Sequence, residues 1–150
     1  MTRTALLAFV GLLAATLMAP LAAADEFGTA SEAKALLERA IVELRADKDA
    51  AIAKFNDPKG AFRHRDLYVF CVNAGNGITT AHPQFVGSDV RTFKDKHGKA
   101  FGLEMLDVAR DGEINVVTYD WPRPGSEVPV AKESYVTKVA DQVCGVGYYK

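Results

Sequence analysis

The chain has 150 residues, 49% of them hydrophobic and 25% charged, with two cysteines and a formal net charge of -1. That length holds one domain, and the balance excludes full-length disorder and collagen-like or low-complexity classes. The near-zero charge gives no electrostatic case for nucleic acid or an anionic membrane as partner, and two cysteines are too few for a disulfide-dense scaffold or a four-thiolate zinc site.

Residues 1–24 read as an export signal. Arg3 supplies a positive start, positions 5–19 are apolar apart from Gly11 and Thr16, and Pro20 ends the run. Ala22 and Ala24 place small residues at the -3 and -1 positions of a cut before Asp25, the layout of a secretory signal peptide. The run is short for a spanning helix of about 20 residues; an uncleaved N-terminal anchor is the rival reading. The expected product is a single domain over residues 25–150, periplasmic or secreted, where disulfides can form.

Thr29-Ala30-Ser31-Glu32 has the form of a capping box, a hydroxyl at the N-cap and a carboxylate three residues on. Leu37, Ile41, Leu44, Ala51, Ile52 and Phe55 then recur at helical spacing among charged residues, which predicts one long amphipathic helix over 31–55. Asn56-Asp57-Pro58 stops it. Positions 67–74 (LYVFCVNA) are rich in β-formers on both parities and predict a central strand. Gly75-Asn76-Gly77 is a turn. A short strand over 78–82 follows and Pro83 ends it. Positions 86–99 read as loop or short helix, and 100–110 as a second helix before Asp111-Gly112. Strands are predicted over 113–121, 133–141 and 143–149, with 122–129 as a hairpin loop. A long helix on a five-stranded antiparallel sheet is an α+β arrangement.

These residues carry a resemblance. Asp66-Leu67-Tyr68-Val69-Phe70, Ala81-His82-Pro83 and Val86-Gly87 stand in the first half. Gly112, Tyr119-Asp120-Trp121-Pro122, Lys132-Glu133-Ser134-Tyr135-Val136 and Gly145-Val146-Gly147-Tyr148 stand in the second. In that order, behind a long helix, the pattern resembles single Cache domains of the second type, the extracellular sensor modules of chemoreceptors and histidine kinases. The resemblance covers roughly residues 30–150. It implies a PAS-like fold: a sheet in strand order 2-1-5-4-3, a long N-terminal helix on one face and a small-ligand pocket on the other. Family members with known ligands often bind small carboxylates.

In that strand order the strand of Cys71 adjoins the strand of Cys144, so the resemblance implies a cross-strand disulfide. Two buried free thiols are the plain alternative, and a metal or redox role a third. His82 is placed to donate a hydrogen bond to a bound carboxylate, or else it is a turn histidine bonded to backbone. Tyr119 and Trp121 share parity and suit the wall of a small pocket, against simple core packing. Lys132 is a candidate cation over that pocket, against a solvated surface charge. Tyr135 is a candidate hydroxyl donor, against core packing. Arg65 is a candidate fork for a carboxylate, against a solvated loop residue balancing Asp66. His64, His82 and His97 are scattered without ligand spacing, so no metal and no cofactor is expected.

No G-x-S-x-G, H-E-x-x-H or paired acid/base signature occurs, so no enzyme activity is expected. The reading is a soluble periplasmic protein that binds a small ligand, an organic carboxylate by resemblance, and relays its state to a membrane receptor or kinase. The alternative is a ligand-free interaction module that acts through its long helix, alone or as a homodimer.

Overall fold

The structure is a computed structural model that describes residues 26–150; the export signal expected over 1–24 lies outside the described residues. Among the described residues no helix is long and apolar enough to cross a membrane.

The capping box forms as predicted. The Thr29 N–H donates to Glu32 Oε2 at 2.8 Å, and the Glu32 N–H donates to Thr29 Oγ1 at 3.3 Å. It opens α1 (Ala30–Ala46), whose buried face is Ala33, Leu36, Leu37, Ala40 and Leu44. The predicted single helix over 31–55 is in fact two. Asp47 adopts an extended conformation (φ -158°, ψ 106°) that ends α1 and opens α2 (Lys48–Asn56). Its carboxylate accepts from the Ala50 N–H at 3.0 Å, so it caps the second helix. An aspartate can offer the backbone such a bond outside a helix, and this is why the break falls here.

The strands are β1 (Arg63–His64), β2 (Leu67–Asn73), β3 (Thr79–Ala81), β4 (Asn115–Pro122), β5 (Pro129–Val139) and β6 (Gln142–Tyr149). A helix, α3 (Phe101–Val108), and a single 3-10 turn (Val90–Thr92) lie between β3 and β4. All strand pairs are antiparallel and run β1-β2-β6-β5-β4, with β3 also on β2. The five expected strands keep their expected order. The departure is β1, a two-residue strand that shares the outer edge of β2 with β3. Two boundaries move with consequences for the site. β4 and β5 extend toward each other until Pro122 faces Pro129, which shortens the expected hairpin loop over 122–129. β3 stops at Ala81, which leaves His82 in the turn beyond it.

β2 is buried on both faces, as its composition predicts. Leu67, Val69 and Cys71 join Val146, Cys144 and the apolar face of α1 in one core. Leu37 is fully buried there, and truncating such a leucine to alanine costs about 2–5 kcal/mol. Tyr68 and Phe70 point the other way and join Phe101, Met105, Val117, Tyr119 and Val136 in a second core. Cys71 and Cys144 are direct partners in the β2–β6 register, with Cα atoms 4.1 Å apart, and are joined by a disulfide on the α1 face. The Val69 N–H, of the same parity as Cys71, donates to Phe62 O, away from β6. The cysteines therefore sit at a non-hydrogen-bonded position, where facing residues come closest.

Candidate functional site

On the face away from α1 the sheet, α3 and the segment between β3 and α3 enclose two adjoining chambers. The inner one is a cavity of about 30 Å³ among Tyr68, Phe70, His82, Phe93, Phe101 and Trp121. The outer one is about 280 Å³ and opens past His82, Phe85, Trp121, Arg123 and Ser126. Tyr68, His82 and Trp121 line both.

Aromatic rings build the walls. Phe101 stacks on Tyr119 at 4.1 Å between centroids and 6° between planes. Trp121 stands edge-on to Phe101 at 5.1 Å. The shared parity of Tyr119 and Trp121 is thus borne out, and both face the cavity. The Tyr119 hydroxyl is paired with Ser134 Oγ at 2.9 Å. Its burial raises the phenol above its ordinary range, so it remains a neutral hydroxyl.

His82 is both a cavity residue and a turn histidine. Its Nδ1 accepts from the Gln84 N–H at 3.0 Å and from the Phe85 N–H at 3.2 Å. Its own N–H donates to Asn56 Oδ1 at 3.2 Å, and Asn56 Nδ2 donates to Thr80 O, so the end of α2 sets the position of the ring. Burial, then the charges of Lys132 and Arg63, push the imidazole down to about 3. An accepting Nδ1 in a neutral ring makes Nε2–H the donor.

Lys132 is neither a surface charge nor a wall residue of the two chambers. It is 1% exposed and stands behind Tyr68. Its Nζ donates to Tyr68 Oη at 2.9 Å and to Tyr149 Oη at 3.3 Å, and lies 4.4 Å and 4.7 Å from the two ring centroids. Gly147 makes room for it: a Cβ there would fall 2.4 Å from Lys132 Cε. Burial depresses the ammonium to about 7, against the pull of Asp66. Burial also raises Tyr68 and Tyr149, which stay neutral.

Two sequence candidates lie elsewhere. Tyr135 points to the α1 side, where it stacks on Tyr148 at 5.9 Å between centroids. Strand parity relates it correctly to Thr137 but does not say which face that parity takes. Arg65, in the β1–β2 turn, is ion-paired with Glu32 and donates to Phe27 O at 2.9 Å. It ties the start of α1 to the sheet and is not brought to the chambers.

Arg123, Phe85 and Phe93 were not singled out from the sequence. Arg123 follows β4 and lines the outer chamber. Its guanidinium lies 4.2 Å from the Phe27 ring centroid and 4.8 Å from that of Tyr149, and its Nε is 3.6 Å from Asp66 Oδ2. Asp66 is buried and its Oδ1 accepts from the Gly28 N–H at 2.7 Å. The available signal for the rings was Phe85, Phe93 and Phe101 at intervals of eight in an otherwise polar stretch, where aromatics need burial. Among the described residues no cluster of three or more His, Cys, Asp or Glu suits a metal ion.

The described residues thus join an antiparallel sheet to a long helix on one face and an aromatic-walled cavity on the other. Residues 13–149 match the family described as Single Cache domain 2, and the chain belongs to that family. A stretch of 71 residues, 46% of the chain, is 37% identical to the methyl-accepting chemotaxis protein McpP of Pseudomonas putida; the match spans 13% of that protein's length. Among solved structures, a methyl-accepting chemotaxis protein from Vibrio parahaemolyticus superposes with a TM-score of 0.65 at 22% identity, over 79% of this chain and 86% of that one. The periplasmic sensor domain of a chemotaxis protein gives 0.60 at 27% identity, over 77% and 86%. A Cache chemosensory domain described for its recognition of carboxylic acid gives 0.59 at 24% identity, over 77% and 84%, a likeness of fold.

Proposed function

We propose that this protein is a periplasmic sensor domain that binds a small organic carboxylate and relays its bound state to a membrane receptor or kinase. The observation that carries this reading is the convergence of two cations and a neutral N–H donor around an aromatic-walled cavity. Arg123 lines the outer chamber, His82 offers Nε2–H, and Lys132 stands directly behind Tyr68. Asp66 offsets one of the two cations, so the group stays net positive while Lys132 is protonated. In a low-dielectric wall such charge attracts an anion far more strongly than at the surface. The carboxylate then lies in the outer chamber against Arg123 and His82, and its apolar tail points between Trp121 and Tyr68 toward the inner one. A Cache domain of the same fold that recognises carboxylic acid supports this assignment.

The ligand-free alternative makes the exposed long helix the contact surface. Among the described residues of α1, Val42 is the one large hydrophobic that is exposed, so an apolar helix-to-helix contact there has little to bury. A thermal-shift screen with small carboxylates tests it. A ligand held at one hundred times its Kd stabilises the folded state by about 2.7 kcal/mol, and the shift should collapse in Arg123→Ala and His82→Ala. A screen in which no carboxylate moves the melting temperature rejects it.

A further inference from the structure

We infer that Phe85 is the specificity-determining residue of this site: its ring is the partition between the two chambers and sets how long an apolar tail the ligand can carry. The inference rests on the carboxylate reading above.

Phe85 lines the outer chamber, and its ring meets three residues of the inner one. It lies 4.9 Å from His82, 5.4 Å from Phe93 and 5.8 Å from Trp121, between ring centroids. Phe93 lines the inner chamber alone, whereas His82 and Trp121 line both. The Phe85 ring thus stands where the shared walls meet. Behind it the inner chamber measures about 30 Å³, the space of about one or two small groups; in front of it the outer chamber measures about 280 Å³. A short tail passes between Trp121 and Tyr68 and fills the inner chamber. A longer one outgrows it, and the ring closes off the space beside it.

The partition is held by its own turn. The Phe85 N–H donates to His82 Nδ1, so the histidine that lines the cavity also fixes the backbone from which the ring projects. Phe85 is only partly buried, so shortening it removes the partition while the core beneath α1 stays intact. With the ring gone the chambers merge, and each further methylene of the ligand finds apolar wall, worth about fourfold in affinity.

The test is a calorimetric titration of the protein and of Phe85→Ala with straight-chain monocarboxylates of increasing length, acetate to hexanoate. The wild type should bind the shortest members best and lose affinity beyond them. Phe85→Ala should move the optimum at least two carbons longer and gain tenfold or more for pentanoate. Phe85→Leu, which keeps an apolar side chain in the turn, should give an intermediate profile and decides the matter if the alanine variant does not fold. An unchanged length profile in a folded variant overturns the role of Phe85 and leaves the carboxylate reading standing. Absence of binding by every member to the wild type overturns both.

Discussion

Lys132 Nζ donates to Tyr68 Oη across 2.9 Å, and this bond places a buried cation directly behind the ring that lines both chambers. Burial depresses the lysine to about 7, whereas an unfolded lysine titrates near 10.4. Between these values the unfolded chain binds the extra proton, so this group makes stability rise with pH, by up to about 1.4 kcal/mol per pH unit. The window closes near pH 10, where the buried tyrosines Tyr68, Tyr119 and Tyr149, all raised, begin to contribute the opposite sign. Denaturant unfolding from pH 7 to 9.5 should show this slope in the wild type and lose it in Lys132→Met. Equal slopes in the two proteins would refute the burial argument.

The same cation links binding to protons. A carboxylate held near Lys132 favours its charged form and raises its pKa, so binding above about pH 7 should take up a proton and weaken as pH rises. Calorimetry in two buffers of different ionisation enthalpy measures the uptake directly. Lys132→Met should bind without it.

His82 should remain neutral well into acid. With Nδ1 accepting two backbone N–H groups and the pKa near 3, long-range nitrogen NMR should show an Nε2–H tautomer that persists at pH 5. Protonation would displace the Gln84 and Phe85 amides, so the unfolded state binds the extra proton between about pH 3 and 6.5 and the group's contribution is lost as pH falls through that range. A His82 resonance that titrates near its ordinary 6.5 would contradict the geometry.

The Cys71–Cys144 bridge closes a loop with a sequence separation of 73, worth about 4 kcal/mol in the chain-entropy account. Cys71→Ala/Cys144→Ala should lower unfolding free energy by roughly 2–5 kcal/mol. Because both residues face α1 and not the cavity, ligand preference should not change. A loss below about 1 kcal/mol would mean that the bridge does little for the fold.

The elements were readable because their periods are clean. The unbroken apolar run of β2, on both parities, marks a strand buried on both faces, and the Thr29–Glu32 box marks the helix start. The break at Asp47 was not readable from the apolar spacing, which continues on both sides of it and masks an aspartate that caps α2. Parity brought Tyr119 and Trp121 together, but it gives relative faces only, and Tyr135 fell on the other one. Lys132 falls just before the strand expected over 133–141, where a lysine reads equally as a solvated charge. What buries it is Gly147 on the neighbouring strand, a register effect. Arg123 lies in the loop expected over 122–129, and its place at the chamber was not readable because the extension of the β4–β5 ladder to Pro122 and Pro129 fixes where that loop starts.

The most direct test of the carboxylate site is a calorimetric titration with propionate and with its neutral isostere propionamide, in the wild type and in Arg123→Ala. A charge-assisted hydrogen bond contributes about 1.5–3 kcal/mol, or roughly ten- to a hundredfold in affinity. Propionate should bind one-to-one and the amide not measurably, and Arg123→Ala should lose at least tenfold in affinity for propionate. Equal binding of acid and amide, or propionate affinity untouched by Arg123→Ala, would contradict the carboxylate site.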